Sequence, residues 1–295
     1  MTALIRLVTH GISQATGRKF ELRTRRPIGG GCINSTEMLD GGDRRFFLKL
    51  NEPSRLHMFE AEAAGLAEIA RSGAVRVPAP VCWGVDDQHS YLVLEYLALG
   101  PAGANAAEKF GAALARMHQV YGREFGWHRD NTIGTTPQIN TPSSDWAEFW
   151  GGRRLRPQFE LAARRGHTGR LQADAERLLM QLPALFADHK PKPSLLHGDL
   201  WAGNFAADEH AEPVIFDPAV YFGDRETDLA MTELFGGFPT RFYDTYREAL
   251  PLASGYTERR QLYNLYHVLN HLNLFGGGYL EQAQRMLASL LRALA

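Results

Sequence analysis

The segment LLHGDLWAGN, Leu195 to Asn204, is the most informative part of this sequence. In it Asn204 follows Asp199 by five positions, and Asp217 comes thirteen positions after Asn204, at the end of an apolar, β-like run. In phosphoryl transfer one aspartate accepts the hydroxyl proton, while an asparagine and a second aspartate hold magnesium on the phosphates. The spacing predicts these three roles. The alternative is that Asp199 and Asn204 only satisfy turn backbones and that Asp217 caps a strand.

Length and composition predict a folded protein with room for two domains, or for two lobes that share a cleft. The 295 residues include 32 Lys and Arg against 33 Asp and Glu, so no global field attracts nucleic acid or an acidic membrane. With 44% apolar residues the chain is too apolar for disorder, and it lacks the run of about 20 apolar residues that spans a bilayer. We therefore expect neither a nucleic-acid partner nor a membrane partner.

The N-terminus and the cysteines predict the compartment. The first residues, MTALIRLVTHGISQATG, carry Arg6 and His10 within an apolar stretch, which favours an amphipathic first helix over a signal peptide. The two cysteines, Cys32 and Cys82, are too few for a disulfide framework and too isolated for a zinc site. We expect a cytoplasmic protein.

Residues 1–97 are predicted to form a small β-rich lobe that contains one helix. Glycine-rich turns within residues 25–50 predict a hairpin followed by another strand. Residues 55–72 repeat apolar side chains at intervals of three and four, which predicts a helix that ends at Gly73. Residues 81–96 predict a second hairpin.

Residues 98–295 are predicted to form a larger, mainly helical lobe after a linker-like stretch at 98–103. Helical periodicity predicts helices at 106–120, 145–165, 169–186, 228–235 and 260–273. A short β-like insertion at 194–218 interrupts them and contains the segment described above. The chain is therefore predicted to be an α+β protein with two lobes.

This pattern resembles the kinases of the protein-kinase-like fold, whose catalytic loop appears as His-Gly-Asp-x4-Asn in the aminoglycoside and choline phosphotransferase branch. More specifically, the sequence is similar to the fructosamine kinase family, also called ketosamine 3-kinases. The similar stretches are LLHGDLWAGN (195–204), FDPAVYFGDRETDLAM (216–231), FGGFP (235–239), MFEAEAAGL (58–66) and LNHLNLFGGGY (269–279). The tryptophan within the catalytic loop, FGGFP and LNHLNLFG distinguish the ketosamine kinases within the superfamily.

The resemblance implies a reaction that uses ATP and Mg²⁺. Asp199 is the implied catalytic base, and Asn204 and Asp217 are the implied magnesium ligands, in agreement with the spacing argument. Lys49, on the apolar strand FFLKL, resembles the kinase lysine that binds the α and β phosphates and pairs with a glutamate of the next helix.

The sequence contains two candidates for the glutamate that pairs with Lys49. Glu62 is the predicted partner and Glu60 is the alternative. Two positions apart on a helix place them on different faces, so only one of them can point at the lysine.

A glycine-rich segment lies where a kinase places its phosphate-covering hairpin loop, since glycines let backbone N–H groups approach phosphate. Its predicted nucleotide-binding residues are Gly30, Gly31, Cys32 and Ile33. The segment departs from G-x-G-x-x-G, so the amides that touch the nucleotide are not defined, and an ordinary flexible turn is the alternative. A thiol near such N–H dipoles has a lowered pKa, which suggests a redox-sensitive Cys32 that links two subunits into a homodimer. An inert thiol is the alternative.

The resemblance also implies a hinge and an acceptor contact. The hinge, where backbone groups bind the adenine edge, is predicted at Glu95, Tyr96 and Leu97. Trp201 is expected to stack on the acceptor sugar, and packing against its own loop is the alternative.

Structural roles are expected for four further side chains. Asp228 resembles the aspartate that braces the catalytic loop, and a simple helix N-cap is the alternative. His197 is expected to hold the loop by hydrogen bonds. His267 and His271 share one helix face as a zinc pair does, but the glutamate of His-Glu-x-x-His is missing, which favours packing or acceptor-pocket lining over metal binding.

The predicted reaction transfers the γ-phosphoryl group of ATP to a sugar hydroxyl, O3 of a fructosamine or ribulosamine that is small or protein-linked, and so promotes deglycation. The resemblance, not the residues alone, implies this acceptor. Ten residues between Asp217 and Asp228 leave no activation loop for a docked peptide. The alternatives are a same-fold kinase for an aminoglycoside, choline or homoserine, and a nucleotide-binding pseudokinase that acts as a scaffold.

Overall fold

The computed structural model describes residues 3–29 and 33–294. Its N-terminal part is a five-stranded antiparallel sheet with two helices. The strand order is β1-β2-β3-β5-β4. The strands are β1 (Thr24–Pro27), β2 (Ser35–Asp40), β3 (Arg45–Asn51), β4 (Pro80–Val85) and β5 (Ser90–Glu95). The central strand β3 carries Lys49, paired in register with Thr36 on β2 and Leu92 on β5.

The alternation of β5 gives the sheet two apolar faces. Tyr91 and Val93 pack in a cluster with the first helix, α1 (Ala3–Thr16), while Leu92 and Leu94 pack in a second cluster with α2 (Leu56–Ser72). Successive side chains of a strand point to opposite faces, so one strand contributes to both clusters. As predicted, α2 ends at a left-handed glycine, Gly73.

The rest of the chain is mainly helical. The helices are α3 (Ala104–Met117), α4 (Trp146–Phe149), α5 (Arg156–Arg164), α6 (Arg170–Gln181), α7 (Glu226–Leu234), α8 (Thr240–Ala249), α9 (Tyr256–Phe275) and α10 (Tyr279–Ala293). The helix predicted at 145–165 is divided into α4, a π-helical segment (Trp150–Leu155) and α5. Two helices, α8 and α10, were not predicted, although each buries apolar residues at helical spacing.

Short strands place the chemically active residues. They are β6 (Asn131–Ile133), β7 (Thr136–Gln138), β8 (Ser194–Leu196), β9 (Phe205–Ala207), β10 (Pro213–Ile215) and β11 (Tyr221–Gly223). Strand β8 pairs with β11, and β9 pairs with β10. Asp199 follows β8 and Asp217 follows β10, so two short antiparallel pairs fix both carboxylates. The β6–β7 hairpin was not predicted.

Hydrophobic packing continues across the predicted boundary at residue 97. The larger core cluster joins Phe59 and Leu66 of α2 to α3, α9 and the segment around Val220. Gly65 permits this contact, because a Cβ there would lie 3.1 Å from Val220 Cγ2. The division into residues 1–97 and 98–295 stays a prediction. Among the described residues, no helix is both long and apolar enough to cross a bilayer.

Close packing of α3 on α8 generates a stability prediction. A Cβ at Gly111 would overlap the carbonyl oxygen of Phe242 and lie 3.0 Å from Tyr246 N. We expect Gly111→Ala to lower the free energy of unfolding by about 1–3 kcal/mol, because backbone atoms of α8 must move. Urea unfolding of the purified protein measures it.

The matched control is Gly152→Ala, since no atom lies within 4 Å of a Cβ at that position. A helical glycine replaced by alanine there should leave stability unchanged or raise it by up to about 1 kcal/mol. Equal stability of the two variants would contradict the packing argument.

Candidate active site

A cavity of about 480 Å³ lies between the β-sheet region and the helical region. Concave sites of this size are where proteins hold small molecules. The cavity collects residues predicted for three different roles, namely Lys49, Glu62, Asp199, Asn204 and Asp217. Residues far apart in the chain therefore meet in one place.

The catalytic loop is braced by Asp228. Its carboxylate accepts hydrogen bonds from the backbone N–H groups of His197 (2.7 Å) and Gly198 (2.8 Å) and from His118 Nε2 (3.2 Å). Although burial opposes ionisation, the hydrogen bonds from His118 and from the backbone N–H of Gly198 keep the pKa of Asp228 low. The bracing contact is present, and the N-cap alternative is wrong because Asp228 lies inside α7.

His197 holds the loop by hydrogen bonds, as expected. Its Nε2–H donates to the carbonyl oxygen of Phe216 (3.0 Å), and its Nδ1 accepts from the backbone N–H of Asp199 (3.3 Å). Burial lowers the pKa of His197, which favours this neutral tautomer. The imidazole thus ties the loop that carries Asp199 to the strand end that carries Asp217.

Asp199 is electrostatically poised for proton transfer. Burial, and then the nearby carboxylates of Asp217 and Asp228, raise the pKa of Asp199 to about 7. Asn204 Nδ2 donates to the Asp199 carbonyl oxygen at 2.9 Å, which leaves Asn204 Oδ1 as the side-chain atom able to bind a cation. A carboxylate with a pKa near the working pH suits a general base.

Lys49 is 3% exposed and forms two ion pairs. Its Nζ lies 2.6 Å from Glu62 Oε1 and 2.5 Å from Asp217 Oδ1. Burial alone would lower the pKa of Lys49, but the two carboxylates outweigh burial and raise it. The structure thus chooses Glu62 over Glu60, which instead lies beside Arg129 at 3.7 Å.

The donor chemistry of the cleft fits Mg²⁺. Asp217 offers a carboxylate that is 44% exposed to the cleft, and Asn204 offers an amide oxygen. Magnesium prefers such hard oxygen ligands and binds through one or two of them together with substrate phosphates. The residues present are therefore compatible with the predicted metal.

Part of the predicted nucleotide site cannot be placed. Gly30, Gly31 and Cys32, with the predicted redox role of the thiol, lie outside the described residues. Ile33, the next residue, lines the cavity.

The predicted hinge residues lie at and directly after the end of β5. Glu95, Tyr96 and Leu97 are not among the lining residues of the cavity. The backbone N–H of Glu95 donates to the Ala79 carbonyl oxygen at 2.8 Å, and its carboxylate accepts from Arg76 at 2.5 Å. The backbone N–H and the carboxylate of Glu95 therefore both have partners in the segment that precedes β4.

Aromatic side chains, including Trp201 and Phe235, form part of the cavity wall. Trp201 is 39% exposed, lines the cavity, covers Gly203 and meets the ring of Phe235 edge-on at 6.4 Å. The contact with Gly203 agrees with the alternative, packing against its own loop, whereas stacking on the acceptor sugar stays a prediction. His267 and His271 also line the cavity.

The histidine pair does not form a metal cluster. Burial, and then the neighbouring His271, lower the pKa of His267 to about 3. Within residues 3–29 and 33–294, the one group of three close potential ligands is His189, Asp224 and Glu226. That group lies elsewhere, and Arg259 already pairs with Glu226 at 2.7 and 3.0 Å.

Sequence analysis missed the contribution of the β6–β7 hairpin. Asn131, Thr132, Ile133 and Gly134 all line the cavity. Gly134 has a φ of 60° at the turn, and a glycine between β-branched residues is a hairpin signal that was available in the sequence. Other missed lining residues, including Asn270 and Leu274, lie within the stretch LNHLNLFGGGY.

Comparison with known proteins agrees with this geometry. A family model described as fructosamine kinase matches residues 4–293. A protein of Synechocystis sp. named "Probable ketoamine kinase" is 48% identical over 286 residues, which cover 97% of this chain and 96% of the relative. The chloroplastic protein-ribulosamine 3-kinase of Arabidopsis thaliana is 42% identical over 270 residues, 90% of this chain and 82% of the relative.

The fold is also found among solved structures. A crystal structure of a Haemophilus somnus protein assigned as a fructosamine-3-kinase matches with a TM-score of 0.89 and 29% identity, over 96% of each chain. The predicted two-lobed α+β arrangement is confirmed as the protein-kinase-like fold. The chain belongs to the fructosamine kinase family and is a phosphotransferase with an alcohol group as acceptor.

Proposed function

We propose that this protein transfers the γ-phosphoryl group of ATP to O3 of a ribulosamine or fructosamine, small or protein-linked, and thereby promotes deglycation in the cytoplasm. The observation that carries the proposal is the convergence of Lys49, Glu62, Asp199, Asn204 and Asp217 on one cavity. The names of the relatives support the ketosamine acceptor and the 3-position.

Each residue has one task in the proposed reaction. Asp199 accepts the proton of the acceptor hydroxyl while that oxygen bonds to the γ-phosphorus and ADP leaves. Lys49, oriented by Glu62, binds the phosphates. Asn204 and Asp217 would hold Mg²⁺, which neutralises charge on the phosphates when it is bound.

The remaining nucleotide contacts are proposed from sequence position. Gly30, Gly31, Cys32 and Ile33 would cover the phosphates through backbone N–H groups. The hinge residues Glu95, Tyr96 and Leu97 would bind the adenine edge through backbone groups other than the N–H of Glu95, which is bonded to Ala79.

Trp201 is proposed to stack on the acceptor sugar. Its ring forms part of the cavity wall that also contains Asp199. The neutral His267, which lines the same cavity, adds no positive charge, and this suits an acceptor whose ketosamine nitrogen is itself cationic.

An acceptor screen tests the proposal. Purified protein with Mg²⁺ and ATP should consume ATP with synthetic ribulosamine or fructosamine, and NMR of the product should place phosphorus on O3. Kanamycin, choline and homoserine serve as comparison acceptors. Turnover of one of these instead would indicate a different small-molecule kinase, and nucleotide binding without any turnover would indicate a scaffold.

Replacing the proposed base separates chemistry from binding. Asp199→Asn should lower kcat by about 10²–10⁴-fold, because the amide cannot accept the hydroxyl proton. Calorimetric affinity for ADP with Mg²⁺ should stay close to that of the parent. Activity of the variant within tenfold of the parent, measured by single turnover, would refute the assignment.

The raised pKa of Asp199 also predicts how stability depends on pH. In the ligand-free protein this carboxyl binds its proton up to about pH 7, whereas in the unfolded chain it loses the proton near the ordinary aspartate pKa of 3.8. The folded state binds more protons in that window, so stability contributed by this group is lost as pH rises from about 4 to 7.

Asp199→Asn removes this titration. The difference between the Tm of the variant and the Tm of the parent should therefore increase from pH 5 to pH 8. It should be largest above pH 7. Differential scanning calorimetry without nucleotide measures it. A Tm difference that is constant over this range would contradict the raised pKa.

A further inference from the structure

Two buried side-chain amides hold the backbone that follows Asp217. Gln138 Nε2 donates to the carbonyl oxygen of Ala219 (3.1 Å), and Asn131 Nδ2 donates to the carbonyl oxygen of Val220 (2.7 Å). Both amides belong to the β6–β7 hairpin, and Gln138 is 1% exposed. Consecutive carbonyls are thus fixed from one side by one hairpin.

The fixed segment lies next to a strained residue. Asp217 has a φ of 57°, a left-handed conformation that a non-glycine residue adopts only when its surroundings impose it. On the other side of the segment the Ala219 N–H donates to the His197 carbonyl oxygen at 2.8 Å, and a side chain at Gly198 would overlap the Ala219 carbonyl oxygen. The direction of the Asp217 carboxylate therefore depends on contacts two and three residues later.

The side-chain amide of Asn131 is oriented by a buried arginine. Arg154 is fully buried, and its Nη2 donates to Asn140 Oδ1 (2.7 Å). Asn140 Nδ2 in turn donates to Asn131 Oδ1 (3.0 Å). A guanidinium has donors only, so it forces Asn140 to present its oxygen, and Asn140 then forces Asn131 to present its own. The NH₂ group of Asn131 must consequently point to Val220.

The side-chain amide of Gln138 is oriented by a tyrosine of α9. Tyr266 OH donates to Gln138 Oε1 (2.8 Å), which directs Gln138 Nε2 to Ala219 and to Asn131 Oδ1 (2.8 Å). Burial raises the pKa of Tyr266, so the phenol keeps its proton and remains a donor. Two series of hydrogen bonds, each with a fixed donor direction, thus end on the carbonyl oxygens of Ala219 and Val220.

We propose that Asn131 and Gln138 are positioning residues for the metal ligand Asp217, oriented by Arg154 and Tyr266. This inference rests on the proposed function, because it concerns the residue that would hold Mg²⁺. Without these donors the 218–220 segment relaxes and Asp217 leaves the left-handed conformation. The loss falls on Mg²⁺ binding, whereas nucleotide contacts made without the metal are unaffected.

Tyr266→Phe and Gln138→Met test the inference. Each removes hydrogen bonding with little change in volume, and one hydrogen bond is worth about 1 kcal/mol, or about fivefold in affinity. The Mg²⁺ concentration that gives half-maximal turnover should rise by about fivefold in Tyr266→Phe and by more in Gln138→Met. Calorimetry should show unchanged ADP affinity without Mg²⁺ and a weaker gain in affinity when Mg²⁺ is added.

Ser90→Ala is the matched control. Ser90 is fully buried, and its hydroxyl donates to the Glu52 carbonyl oxygen at 2.7 Å, so its loss also removes one partly buried bond to a carbonyl, but at the start of β5 and not on the segment after Asp217. This variant should lose stability but keep the Mg²⁺ dependence of the parent.

The outcomes separate the two proposals. If the parent shows no Mg²⁺-dependent ADP binding, the proposed function fails and the inference falls with it. If the parent binds ADP in an Mg²⁺-dependent manner and the folded Gln138→Met variant has the same Mg²⁺ dependence, only the positioning role is overturned. If Gln138→Met does not fold, parent-like Mg²⁺ dependence in the milder Tyr266→Phe overturns that role.

Discussion

The buried ammonium of Lys49 is the charge around which the cleft is organised. A buried cation is stable only when it is paired, and here the partners come from α2 and from the segment after β10. One side chain of the β-sheet thus connects a helix and the segment that ends in Asp217. Losing either carboxylate would leave the buried ammonium with a single partner, so the double pairing constrains the relative placement of all three elements.

The same electrostatic arrangement makes the site responsive to a substrate. Asp217 is exposed to the cleft while Lys49 is not, so an incoming cation can bind the carboxylate from the open side and incoming phosphate can take its place beside the lysine. Burial, and then the carboxylates at positions 217 and 228, raise the pKa of Asp199. A cation bound at Asp217 would reduce the repulsion from that carboxylate and favour the ionised base when the reaction partners are in place.

The parts predictable from sequence are those encoded by local spacing. Asp199 and Asn204 lie within one loop, and helix geometry showed that only one of Glu62 and Glu60 could face Lys49. The amides of Asn131 and Gln138 were not predictable in this way, since they contact residues 89 and 81 positions away from strands of only three residues. The amphipathic helices α8 and α10 were missed for a different reason, because their periodicity was present in the sequence and was not used.

The polar network behind Asp217 shares helix α9 with the cavity wall. Helix α9 contributes His267 to the cavity wall and, one residue earlier, Tyr266 to the donors behind Asp217. Adjacent helical residues point about 100° apart, so one rigid helix serves both sites through different faces. Buried polar groups are costly unless satisfied, and a satisfied set specifies one arrangement. Retaining several buried amides and an arginine here, instead of an apolar core, is therefore consistent with a requirement for direction at Asp217 more than for stability.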